Sequence, residues 1–460
     1  MSYDSKALVA IAMLAASILG TATQAKDTST FTPEEVRQDI DEIVERVLSV
    51  HPQPTHSFEP AALKAAADAL QAKATSPMSE REAWKLIAQL NPVFRDAHAA
   101  IYYPDLKDRI ADDLAAGGHM LPLTVSLSAE NKLHLTGSRT AGIGTDGAPV
   151  ILSINGKTSS DIVAAMMARA QGDSETFRRA YVGHRFSDLH WELYGGSDTY
   201  DIRLQLGHEV KTVTIPGTTG AMRPQTVPLE EKVERRILPG DIGYLRVDAF
   251  AYPPEQEAAF FGFMKETWQA FHDAGVRDVI IDVRKNGGGT DHYWQMGIAP
   301  YVTDTPFPFL SYFKVRLTER NLKLGPIQGP QDSIQEGPFA MVVPIKPEEP
   351  LRISGKAYIL AGPYSYSSTI LFLTAMQDAA NAVIAGQPTG GRSCTTGRIE
   401  FSKTKHTRIE LSVPTLIFTR PAGPEACMDP VQPDIPLPPA PGDSNAQIEA
   451  LAAHIRQQSK

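Results

Sequence analysis

Two stretches of this 460-residue chain combine residue types and spacing that could do chemistry. In Leu360-Ala361-Gly362-Pro363-Tyr364-Ser365-Tyr366-Ser367-Ser368-Thr369 an apolar strand ends, a short turn follows and a helix begins at the serines. A serine there sits against the unsatisfied N–H groups and positive dipole end of the helix, a setting that favours an oxyanion and hence nucleophilic attack. The same position also suits a serine that merely caps the helix. In Ile280-Ile281-Asp282-Val283-Arg284-Lys285-Asn286-Gly287-Gly288-Gly289, three glycines follow a second apolar strand. They let the backbone turn sharply and aim its N–H groups at an anionic centre. The spacing fits neither the Walker pattern nor the dinucleotide pattern, so a phosphate loop is not expected.

A serine nucleophile needs a base within hydrogen-bond reach and a group that orients the base. With 12 histidines, composition selects none. His98, in Asp96-Ala97-His98 after a helical segment, and Glu425, in the turn-rich Ala422-Gly423-Pro424-Glu425-Ala426-Cys427, gain weight only in combination with the serine. No His-Glu-x-x-His motif is present, and a metal-independent, cofactor-free reaction is expected.

Taken together, these pieces resemble the tail-specific protease and tricorn-type peptidase superfamily. Asp282-Val283-Arg284-Lys285-Asn286-Gly287-Gly288-Gly289 is similar to its Asp-Leu-Arg-x-Asn-x-Gly-Gly element. The segment from Ser365 through Asp378 to Gly390-Gly391 resembles its nucleophile segment. The resemblance implies Ser367 as nucleophile, with Ser365 and Ser368 as alternatives, and the N–H groups of Gly289 and Ser368 as oxyanion donors. One branch of the superfamily takes a lysine base downstream, where this chain has Arg392, which cannot give up its proton. The tricorn-like branch uses a histidine from an N-terminal segment and a downstream glutamate, which His98 and Glu425 resemble. Lys403 or Lys405 as base is a further reading, although nothing in their alternating polar strand would depress a pKa. The implied function is a serine-type peptidase acting on peptide or protein substrates through an acyl-enzyme. The competing reading is a non-catalytic ligand- or peptide-binding protein on the same fold.

The elements that must position these residues fall into four stretches. Lys6, the apolar run Ala7–Gly20 and the small residues ending at Ala25 predict a signal peptide over 1–25 and export to the periplasm or medium. Residues 26–116 read as helical, with capping boxes at Thr32–Glu35 and Ser79–Glu82. Residues 117–225 read as short strands with helical insertions, and Val150–Gly156 resembles a PDZ-like strand and turn. Residues 226–460 alternate strand and helix, which predicts a largely parallel sheet covered on both faces. The fold expected is therefore α/β: a crotonase-like catalytic domain, an N-terminal helical segment and a small PDZ-like middle module. A last helix, capped by Ser444 and Gln447, is expected to run to about Gln457. The formal net charge of −9 argues against nucleic acid as a partner, and no membrane association is expected after signal cleavage. In an exported chain the only two cysteines, Cys394 and Cys427, could pair.

Overall fold

The computed structural model describes residues 30–458 apart from 340, 381 and 444. The signal expected over 1–25 and the cap expected at Ser444 lie outside the described residues.

The N-terminal segment opens with helix Pro33–Val50. Thr32 caps it: its hydroxyl accepts from Glu35 N, and the Glu35 carboxylate takes the Thr32 N–H at 2.8 Å. Val36, Ile40, Ile43 and Val47, spaced three and four apart, fall on one side and are fully buried. Helix Glu80–Ile87 begins with the second capping box, at Ser79. The chain then reverses through Arg95, which adopts a left-handed conformation (φ 46°), into Asp96-Ala97-His98 and strand Ala100–Tyr102. That strand pairs antiparallel with Ser412-Leu411-Glu410 of the C-terminal segment. Backbone pairing thus carries a residue from near position 100 into a site built more than 260 residues later.

The middle segment is an antiparallel sheet in the order 123–127, 133–138, 150–154, 199–206 and 209–216, with helices Ser159–Met167, Glu175–His184 and Phe186–Tyr194. Asn155 and Gly156 both have positive φ (47° and 77°) and close a tight hairpin in which Ile154 pairs with Lys157. The turn predicted there is present, but it returns the chain into a two-residue strand before the helix starts.

Residues 226–460 carry a six-stranded sheet in sequence order: 233–238, 242–247, 278–282, 357–361, 383–386 and 435–436. Its first pair is antiparallel and the rest are parallel, as the strand–helix alternation predicts. Side chains alternate between faces. Val279, Ile281 and Ile359 meet Phe260, Met264, Trp268 and Phe271 of helix Pro254–Asp273, whereas Ile280, Tyr358 and Leu360 meet Ile448, Leu451 and Ile455 of helix Ala446–Gln458. Helix Ser368–Asp378 makes the crossover between strands 357–361 and 383–386 and has no exposed face over its first nine residues.

A second sheet was not anticipated from the sequence. Strands 334–338, 312–316, 410–419 and 396–403 pair antiparallel in that order and supply the partner for Ala100–Tyr102. Cys394 and Cys427 form a disulfide at the start of this sheet.

Candidate active site

Ser367 lies at the junction of strand 357–361 and helix Ser368–Asp378 with φ 58° and ψ −125°. A positive φ at a non-glycine residue costs energy and persists only where the surroundings impose it. Here Ile370 N and Leu371 N both bond to Ser367 O, fixing the backbone at the turn. The Ser367 side chain does not cap the helix. Its Oγ instead lies 2.9 Å from His98 Nε2. The side chain of this serine therefore contacts His98 rather than capping the helix.

The two alternative serines are occupied elsewhere. Ser365 is fully buried; its hydroxyl donates to Val283 O at 2.8 Å and accepts from Gly362 N. Ser368 donates its hydroxyl to Asp291 at 2.5 Å and accepts from Trp294 Nε1.

The glycine loop is held against Ser367 by Asn286. This buried amide donates to Val247 O, and its oxygen accepts from Gly288 N at 2.9 Å and from the Thr369 hydroxyl at 2.7 Å. Gly288 has φ 101°, and a Cβ on it would lie 2.6 Å from Ser367 Cβ. Phe250 brackets the next step of the loop: its N–H bonds to Gly288 O, and its carbonyl accepts from Thr290 N. Among the described residues, neither Gly289 N–H nor Ser368 N–H is used in a hydrogen bond. Both expected oxyanion donors thus belong to backbone that abuts Ser367 and remain available.

His98 is buried between Tyr366, whose ring centroid is 4.9 Å away, and strand 396–403. Its Nδ1 lies 2.9 Å from the Thr396 hydroxyl, which donates to Asp96 Oδ1 at 2.9 Å. Burial lowers the His98 pKa, and the carboxylates of Asp96 and Asp173 oppose that shift without reversing it. The imidazole is neutral near neutral pH, as a base must be.

Glu425 does not take the place expected for it. It is exposed, and among the described residues no hydrogen bond or ion pair connects it to His98. The His98 nitrogen facing away from Ser367, Nδ1, is held by Thr396 instead. The cause is local: the disulfide and the bonds Cys394 N to Cys427 O and Ser393 N to Asp429 O hold the 425 loop on the outside of the strand that carries Thr396. Lys403 is no base either. It bonds Asp105 at 2.5 Å and Glu410 at 3.2 Å, and the bond to Asp105 raises its pKa. Lys405 is exposed.

Arg392, at the position of the lysine base in the processing-protease branch, has a different task. It is buried, lies 3.6 Å from Asp173 Oδ2 and donates to Ser57 O. Asp173 comes from the middle segment and accepts from Ala97 N, Tyr366 OH and Arg392 N. One carboxylate thus joins the histidine segment, the nucleophile segment and the middle segment, and Arg392 compensates its charge. Arg392→Met should therefore lower unfolding free energy by about 3–5 kcal/mol, the usual cost of stranding a buried carboxylate. Urea denaturation checks this; a loss below about 1 kcal/mol would contradict the role. Sequence reasoning gave Asp173, Thr396 and Asp96 no role. Asp96 stood in the quoted histidine segment, while Thr396 is 298 residues from His98 and carries no local signal.

Comparison with known proteins follows the same lines. Residues 241–437 match peptidase family S41. No curated protein sequence matches the chain significantly. Among solved structures, mature CPAF is 15% identical, with 92% of this chain and 96% of that chain covered and a TM-score of 0.62. Mature CPAF complexed with lactacystin is 14% identical, with 92% and 97% covered and a TM-score of 0.64. At such identity the likeness is one of fold, and it spans nearly the whole chain rather than residues 241–437 alone. Residues 241–437, the stretch that carries the glycine loop and Ser367, are thus similar to peptidase family S41.

Proposed function

We propose that this chain is a serine peptidase of the S41 type that cleaves peptide bonds through an acyl-enzyme on Ser367, with His98 as the general base. The 2.9 Å contact between Ser367 Oγ and His98 Nε2 carries this reading. In acylation the Ser367 proton passes to Nε2 as Oγ bonds to the substrate carbonyl carbon. The tetrahedral oxyanion takes the N–H groups of Gly289 and Ser368, each worth on the order of 3 kcal/mol in the transition state. His98 then returns the proton to the leaving amine, and water repeats the cycle on the ester.

The pH dependence tests the base. Protonated His98 cannot accept the serine proton, so kcat/KM should fall as pH drops through the His98 pKa. Because burial lowers that pKa, the acid limb should have its midpoint below the ordinary histidine value of 6.5. A profile on a chromogenic peptide with its acid limb well above 6.5, or with none, would sink the assignment of His98.

The parallel sheet order and the crossover helix at the nucleophile support reading the catalytic region as crotonase-like. A cavity of about 820 Å³ between strand 150–154 and helix Ser159–Met167, lined by Val150, Leu152, Val163 and Met167, supports a PDZ-like reading of the middle module. Export is supported by the disulfide, which persists in oxidising compartments.

A further inference from the structure

The placement of Glu425 leaves the orienting of His98 to the groups around its Nδ1. We propose that Thr396 and Asp96 fill that role together, as a carboxylate acting through a bridging hydroxyl. This inference rests on the assignment of Ser367 and His98.

The proton inventory fixes the arrangement. Asp96 is fully buried and surrounded by donors. Oδ1 accepts from the Thr396 hydroxyl and from His98 N, both at 2.9 Å. Oδ2 accepts from the Ser57 hydroxyl at 2.9 Å and faces His51 Nε2 at 3.6 Å. His51 Nδ1 accepts from Gln53 N, so the His51 proton sits on Nε2 and points at Asp96. Burial alone would raise the Asp96 pKa, but His51, His98 and Arg392 outweigh it and hold the carboxyl ionised. Thr396 has one hydroxyl proton, and it is donated in the hydrogen bond to Asp96 Oδ1. The Thr396 lone pair then faces His98 Nδ1 at 2.9 Å, so Nδ1 must carry the N–H. Nε2 is left with a bare lone pair directed at Ser367 Oγ. The tautomer needed for catalysis follows from the hydrogen-bond geometry.

The same arrangement stabilises the charged state. When the serine proton reaches Nε2, the imidazolium forms with Nδ1 4.0 Å from Asp96 Oδ1. Only that proton moves, while Thr396 keeps its own and Asp96 stays ionised. The other charged or titratable groups facing this pair are Asp173, Arg392, His51 and His56, with the Tyr366 ring packed on the imidazole. Thr396 and Asp96 touch no reacting atom and are positioning residues.

The test compares Thr396→Val, Thr396→Ser, Asp96→Asn and Glu425→Gln in the full chain. Valine keeps the shape of threonine and removes the bridge, so kcat should fall on the order of 100-fold with KM within about twofold. Serine restores the hydroxyl and should recover kcat to within about fivefold of the parent. Glu425→Gln should stay within about twofold. Asp96→Asn removes the anion that props up the His98 pKa, so the acid limb of kcat/KM should move to lower pH. An unchanged kcat in Thr396→Val, a kcat loss in Glu425→Gln as large as that expected for the valine variant, or an unmoved acid limb in Asp96→Asn would overturn the proposal. Should Thr396→Val fail to fold, the Asp96→Asn acid limb decides. Ser367→Ala, run in parallel, separates the two levels. If it is inactive while Thr396→Val is silent, only the bridge is wrong. If it is active, the nucleophile is wrong and the bridge falls with it.

Discussion

Ser367→Ala should lower kcat by about 10⁵- to 10⁶-fold while leaving the fold intact. The size of the effect follows from where the serine side chain goes. Its Oγ makes no capping bond and meets His98 Nε2 at 2.9 Å, so truncation removes the attacking atom and little else. The backbone at φ 58° is held by Ile370 N and Leu371 N on Ser367 O, and these bonds do not depend on the hydroxyl. Alanine adopts that φ no more easily and no less easily than serine. The residual rate should be that of the oxyanion donors acting on water, and adding His98→Ala should cost little further, because base and nucleophile act as one unit. Steady-state hydrolysis of a peptide library hit, with a circular-dichroism melt of the variant, checks both halves. A fully active variant would show that the nucleophile is elsewhere.

Gly288→Ala is the next largest effect, and it needs no change in any catalytic group. The added methyl would sit 2.6 Å from Ser367 Cβ, 2.7 Å from Tyr366 O and 3.0 Å from Ser368 N. Two of these atoms are backbone, so no side-chain rotation relieves the clash, and φ 101° is itself strained for alanine. Either the loop or the nucleophile turn must shift, and both define the oxyanion site. A displacement near 1 Å costs about 100-fold in rate, and loss of one oxyanion donor costs about 10²–10³, so a fall of about 10³ in kcat is expected. Binding made outside the loop should survive, leaving KM within a few-fold. A kcat within tenfold of the parent would mean that the loop does not frame the site.

The legibility of this molecule divides along physical lines. The capping boxes at Thr32 and Ser79 and the parallel strands at 278–282 and 357–361 were readable because their signals are local: a hydroxyl three residues before a glutamate, or an apolar run bounded by turns. The turn that holds Ser367 and the glycine loop were readable as segments for the same reason, while the choice of Ser367 among the serines came from the resemblance. The second antiparallel sheet was not. Strand 334–338 is half polar, and strand 410–419 is almost wholly buried, so neither shows the alternation that marks a half-exposed strand. His98 could be matched by its segment, but only the pairing of Ala100–Tyr102 with 410–412 explains how it reaches Ser367. Glu425 illustrates the opposite case. It has the residue type and chain order of a third member, yet the group on Nδ1 is Thr396. Chemistry shared between segments 300 residues apart leaves no spacing to read.

Mapping the covalent adduct of a serine-directed phosphonate tests the central claim most directly. The full-length protein would be inactivated to completion, digested and sequenced by mass spectrometry. A single stoichiometric adduct on Ser367, formed more slowly as pH falls below the His98 pKa and abolished by His98→Ala, is the predicted result. Complete inactivation with the adduct on Ser365, Ser368 or a residue outside this turn would contradict it.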